Sequence, residues 1–256
     1  APRPSCFCNS SPLATSLRKA WSGIIWRSRG AQIQTRYEGL LIENCTIKNC
    51  GRNGIMSLND SANRRRWLPN TDVIVRENEI TGVSGDGIRL EGCVNAMVEY
   101  NRVRSAGGAA DGKAGGIVLI GCDNSLVQYN EIWQTRGKDN AAMLSGTNNR
   151  ENTFQFNTHD NDGPMAAVRT GNGNRIDAAQ LGADAGNLQT AARYNISQND
   201  GAVLKVDGPC QGTRFHNNTV FTGAEHDSAV LRILDQPAPP TGLILANNLF
   251  YTLGTM

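Results

Sequence analysis

Three aliphatic runs late in this 256-residue chain each carry a basic residue at a matching place: Arg169 in MAAVRTG, Lys205 in GAVLKVDG and Arg232 in SAVLRILD. An arginine neutralises a carboxylate, and a lysine crowded by other cations can give up its proton and act as a base. Both residue types on one face fit β-elimination from a uronate. That reaction needs the C5 carboxylate neutralised, the C5 proton removed and the leaving oxygen protonated. Cations stacked about 5 Å apart on neighbouring strands repel one another, and a bound polyanion relieves that repulsion. The plainer alternative is three solvated side chains neutralised by Asp160, Asp207 or Asp235.

Two further stretches add chemistry. In THDNDGPM, residues 158–165, His159 stands where earlier segments place Ile80, Val103 and Ile132. A polar residue that breaks a local rule marks a candidate site, and imidazole can serve as acid or base. Asp160 and Asp162 follow in a turn whose oxygens can hold calcium, although the same residues simply make a good turn. The longest interval between repeats, residues 171–192, brings Arg175, Asp177 and Asp184 and can wall a groove. The candidate catalytic residues are Lys205, Arg169 and His159. The candidate substrate contacts are Arg232, Arg175 and Asp207, the candidate metal ligands Asp160 and Asp162, and calcium the one candidate cofactor.

What positions these residues is a repeat. One phrase recurs eight times: LLIENCTI, VIVRENEI, MVEYNRV, LVQYNEI, TFQFNTH, ARYNIS, RFHNNTV and ILANNLF. Asn78, Asn101, Asn130, Asn157, Asn195, Asn218 and Asn248 share one place in it, and Cys45 takes that place in the first copy. Successive copies are 33, 23, 29, 27, 38, 23 and 30 residues apart. A variable period in this range describes a solenoid with loops of unequal length. A second run follows each phrase: NGIMSL, DGIRLEG, GGIVLIG, AAMLSG, MAAVRTG, GAVLKVDG and SAVLRILD. Its alternation describes a strand with one buried and one exposed face.

Strand, turn and strand, stacked in parallel, build a β-helix. Stacked Asn amides can bond from coil to coil, and Asn tolerates the left-handed backbone that bends require. Aligned on their Gly or small residue, the second runs point Leu90, Leu119, Leu144, Val168, Leu204 and Leu231 inward. Glu91, Ile120, Ser145, Arg169, Lys205 and Arg232 then point outward.

Composition agrees. Gly numbers 28, aromatics make up 6%, and no run of eighteen apolar residues exists to span a membrane. Residues 1–36 hold six basic residues and no acidic one, which leaves 19 basic and 23 acidic residues, or −4, for the remainder. A nearly neutral body argues against a dedicated nucleic-acid binder. Residues 1–36 also lack the phrase, so they are set apart from a β-helix domain at 37–256. Neither end carries a polar cap, as expected of a piece of a longer stack. Seven Cys with no CxxC pair make a zinc site unexpected. Cys93 and Cys122, closing matching phrases, are expected to stack as buried thiols, with a disulfide as the alternative.

The phrase v-x-x-N-x-i followed by D-G-I resembles the repeat of right-handed parallel β-helix proteins of the pectate-lyase-like superfamily, over residues 38–251. The resemblance implies an all-β solenoid of seven to eight coils. That superfamily holds polysaccharide lyases, glycosidases, uronan epimerases, tailspikes and adhesins, so it constrains function weakly. By likeness to lyases that use a Lys and an Arg, often with calcium, Lys205 is the base candidate and Arg169 or Arg232 the carboxylate clamp. The implied partner is an acidic polysaccharide, met outside the cell or in the periplasm. A C5-epimerase and a non-catalytic glycan-binding, adhesive or structural solenoid are the alternatives.

Overall fold

The computed structural model describes residues 5–7, 22–28, 35–59, 67–108, 114–135, 141–160, 164–169, 186–234 and 240–254. Its regular elements are all β-strands, and every strand pairing is parallel. The solenoid is the one expected, but each coil has three strands. The second coil shows the pattern: Ile74–Arg76, Glu79–Thr81 and Ile88–Glu91. Stacking coil on coil builds a first sheet of eight strands, a second of nine and a third of eight. Among the described residues no helix is long and apolar enough to cross a membrane.

The repeated phrase is therefore two short strands and a corner, not one strand. In the second coil the corner is Glu77–Asn78, between Arg76 of the first sheet and Glu79 of the second. The residue with left-handed backbone is not the ladder Asn but the one before it. Asn44, Glu77, Tyr100, Tyr129, Phe156, Tyr194, Asn217 and Asn247 all have φ between 53° and 56°. Four of them are aromatic, and a left-handed aromatic residue carries a steric cost of roughly 1–2 kcal/mol. Their rings stack outside the corner, Tyr100 on Tyr129 at 5.1 Å, Tyr129 on Phe156 at 5.1 Å and Phe156 on Tyr194 at 5.4 Å. Each such contact returns about 0.5–1.5 kcal/mol, which offsets much of that strain.

The ladder Asn, freed from the φ requirement, points inward. Asn130 Nδ2 donates to Asn157 Oδ1 at 2.9 Å and to the Val98 carbonyl at 2.9 Å. Its Oδ1 accepts from Asn101 Nδ2 and from the Asn101 backbone N–H, both at 3.0 Å. The same bonds run from Asn78 through Asn101, Asn130, Asn157, Asn195 and Asn218 to Asn248. The column satisfies buried backbone at a place where three short strands per coil would otherwise leave it unpaired.

The interior is filled by one residue per short strand. The first sheet contributes Ile42, Val75, Val98, Val127, Phe154, Ala192 and Phe215, and the second Ile47, Ile80, Val103 and Ile132. Burying each large aliphatic side chain stabilises the fold by about 1.5–3 kcal/mol. Cys93 and Cys122 are buried free thiols in this core, and burial pushes the Cys122 thiol well up.

Residues before position 37 also take part. Ile24–Arg27 pairs in register with Ile55–Leu58 on the third sheet, and Ser5–Phe7 with Thr46–Lys48 on the second.

Candidate functional site on the third sheet

Every third-sheet strand alternates, so one set of side chains faces the interior and the other the outside. Pairing fixes the outward row as Ile25, Met56, Arg89, Val118, Leu144, Ala167, Lys205 and Arg232. In the register two residues further along, Glu91 pairs with Ile120 and Arg169 with Asp207.

This register corrects two expectations. Lys205 does lie opposite Arg232, but its other neighbour is Ala167, and Arg169 faces Asp207 instead. The displacement is two residues, which changes the pairing partner of Arg169. A one-residue displacement affects the strand before it. Leu144, expected inside, pairs with Val118 on the outer face. Ser145, expected outside, is interior and donates to Asn187 Oδ1 at 2.5 Å. The cause is strand length: six positions separate Gly115 from Gly121, but five separate Ala141 from Gly146. Setting Leu144 level with Leu119 therefore flips the strand, because Leu119 pairs with Ser145.

The outer face is not freely solvated. Val118, Ala141 and Leu144 form an apolar cluster of their own, apart from the interior core, with Ile120 against it. Lys205 is only 4% exposed, whereas Arg232 is exposed. The ends of this recessed strip are charged and its middle is apolar. Four strand steps separate Arg89 from Lys205, or about 19 Å.

The charged end at Arg89 was not read from sequence. Arg89 donates to Glu91 Oε1 through Nε at 2.6 Å and lies 3.2 Å from Asp86 Oδ2. Asp86 also accepts from the Gly115 N–H at 2.8 Å. Burial pushes the Asp86 carboxyl above its ordinary range, opposed by the Arg89 guanidinium and the Gly115 N–H. The sequence signal was present in DGIRLE: Arg89 and Glu91 two apart on an alternating strand, Asp86 at its entry.

Other candidates lie elsewhere. His159 is wholly buried in the interior column of the second sheet, between Ile132 and Ser197, so it does not reach the third-sheet face. Among the described residues neither ring nitrogen has a hydrogen-bond partner, and burial lowers its pKa to about 3. It is a neutral core imidazole, not an accessible acid or base. Asp160 points outward from the second sheet, between Trp133 and Gln198. Asp162 and Arg175 lie outside the described residues. Among the described residues no group of three or more His, Cys, Asp or Glu is placed to hold a metal ion.

The chain is similar to GH136 lacto-N-biosidase from Eubacterium ramulus, at 18% identity and a TM-score of 0.64 for the native protein and 20% and 0.62 for its selenomethionine derivative. The match covers 86% of this chain but 36% of either solved chain. An alginate lyase from Paenibacillus sp. str. FPU-7 aligns at 12% identity and a TM-score of 0.48, over 91% of this chain and 88% of the lyase. No curated protein matches the sequence. The right handed beta helix region model matches residues 22–221, and the chain belongs to that family.

Proposed function

We propose that the chain acts on an acidic polysaccharide laid along the outer face of the third sheet, and cleaves it by β-elimination. The observation that carries this reading is the pairing of Lys205 with Arg232 on adjacent strands of a recessed face. A lysine and an arginine side by side on one row match the anionic groups that repeat along an acidic polymer. The similarity to the lacto-N-biosidase is one of fold, so the chemistry rests on these side chains.

In the proposed step Arg232 holds the uronate carboxylate. Unprotonated Lys205 Nζ takes the C5 proton. The electron pair released forms the C4–C5 double bond, the bond from C4 to the glycosidic oxygen breaks, and that oxygen takes a proton from water. Asp207, two residues beyond Lys205 on the same strand, adds a polar position beside them.

The test is absorbance at about 235 nm, the band of an unsaturated uronate. Alginate, pectate, chondroitin and heparin-type polymers would be incubated with the full chain, with and without calcium. A rise on one polymer that disappears in Lys205→Ala supports the reading. A rise that survives Lys205→Ala overturns the mechanism. The 4% exposure of Lys205 favours one second reading, a glycan-binding solenoid without turnover. Retention of a polymer with no rise on any of them would select it.

A further inference from the structure

A separate charged patch lies on the first sheet, at the coils farthest along the chain. Its outward positions there are Arg193, Arg214 and His216. Arg193 and His216 are direct partners on adjacent strands, about 4.8 Å apart. Arg214 lies two residues before His216 on the same strand, about 6.6 Å away on the same face. The positions that border them are Ala191, Ile244 and Ala246, none of which carries a charge. Among the described residues none of the three has an ion-pair partner.

The rest of that row is balanced. Arg76 pairs with Glu43 at 2.8 Å. Gln128 donates to Glu99 at 2.9 Å, Gln155 donates to Gln128 at 3.1 Å, and Arg193 Nε donates to Gln155 Oε1 at 2.9 Å. This ladder carries acids at one end and ends on Arg193 and His216, with no acid, at the other. Tyr194, the last ring of the corner stack, borders the patch. Arg193 sits 5.8 Å from its centroid and the His216 ring meets it edge-on at 6.1 Å. Partial burial, followed by the Arg193 and Arg214 charges, holds His216 below the ordinary imidazole range.

Like charges grouped without an acid are unfavourable unless an anion spans them, and Arg214 is exposed and ready to meet one. We propose that Arg193, Arg214 and His216 form an anion site that grips the carboxylate or sulfate groups of an acidic polysaccharide. This site is apart from the third-sheet face and serves to hold the polymer, not to cleave it. The guanidinium groups take the anionic oxygens, and Tyr194 offers an apolar edge to the adjoining sugar. The choice of polysaccharide as partner rests on the function proposed above; the anion site itself does not.

Calorimetric titration of the full chain tests it, with polygalacturonate and heparin as probes and single-stranded DNA of matched charge as a contrast. The double variant R193Q/R214Q should bind both polysaccharides about ten-fold more weakly, with unchanged melting temperature. Ala246→Glu, which sets a carboxylate beside His216, should weaken binding similarly. Lys205→Ala should leave this component in place. Unchanged affinity in both the double variant and Ala246→Glu overturns the proposal, even if third-sheet turnover is found. Weakened affinity with no turnover on any polymer keeps the site and sinks the lyase. DNA binding as tight as the polysaccharides, lost in the same variants, overturns the choice of partner.

Discussion

Lys205 lies opposite Arg232 across adjacent strands of the third sheet, while Arg169, two residues beyond Ala167, lies opposite Asp207. The two arginines therefore differ in kind. Arg232 lies opposite another cation, and the register sets Arg169 opposite an acid. Arg232→Gln should lower turnover of an acidic glycan by roughly 100-fold, as loss of a charge-stabilising donor does. Arg169→Gln should leave turnover within a few-fold. Initial rates at 235 nm decide it, and equal losses in the two variants would contradict the register argument.

Stability should fall with acid because of His159. An unfolded histidine protonates near 6.5, whereas the buried imidazole resists until about 3. The folded state thus binds fewer protons between these values. The contribution is complete above about pH 6.5 and is lost as pH falls toward 3, at about 1.4 kcal/mol per pH unit. Urea midpoints measured from pH 7 to pH 4 should show this slope. His159→Ile, which continues the column of Ile132, should flatten it. An identical slope in that variant would place the acid sensitivity elsewhere.

The Asn ladder should be costly to break. Asn130→Ala removes an acceptor shared by two donors of Asn101 and leaves Asn157 Oδ1 and the Val98 carbonyl without this donor. The expected loss is roughly 2–4 kcal/mol, read from equilibrium denaturation. A loss below about 1 kcal/mol would mean that water replaces the amide at no cost.

Gly87 enters the third sheet where the next coil comes closest. A Cβ built there would lie 2.5 Å from the Gly116 carbonyl oxygen and would overlap the Val103 side chain. Gly87→Ala should destabilise by about 1–3 kcal/mol through this overpacking. Thermal melts of the variant check it, and an unchanged melting temperature would show that the coils can separate locally without penalty.

Much of the architecture was legible because a β-helix repeats its physics. Asn at a fixed place in seven phrases, followed by an alternating run, is enough to imply parallel stacking, and the amide ladder followed from the chemistry of Asn. The corner was harder. Asn suits left-handed backbone, yet here the preceding residue takes it, and Tyr100, Tyr129, Phe156 and Tyr194 are poor left-handed residues by local preference. Their stacking on one another, a contact between residues 27 to 38 positions apart, is what makes the choice workable.

The sequence by itself determined the solenoid, the ladder and the presence of Lys205 and Arg232 in consecutive coils, because these depend on residue type recurring at a period. Only the tertiary structure decided which side chains share a face. Strand register flips sides with a shift of one residue and changes neighbours with a shift of two, and loops of unequal length hide both shifts. That is why Leu144 lies outside, Ser145 inside and Arg169 beside Asp207. It is also why Arg193, Arg214 and His216, unremarkable in two separate stretches of sequence, meet on the first sheet.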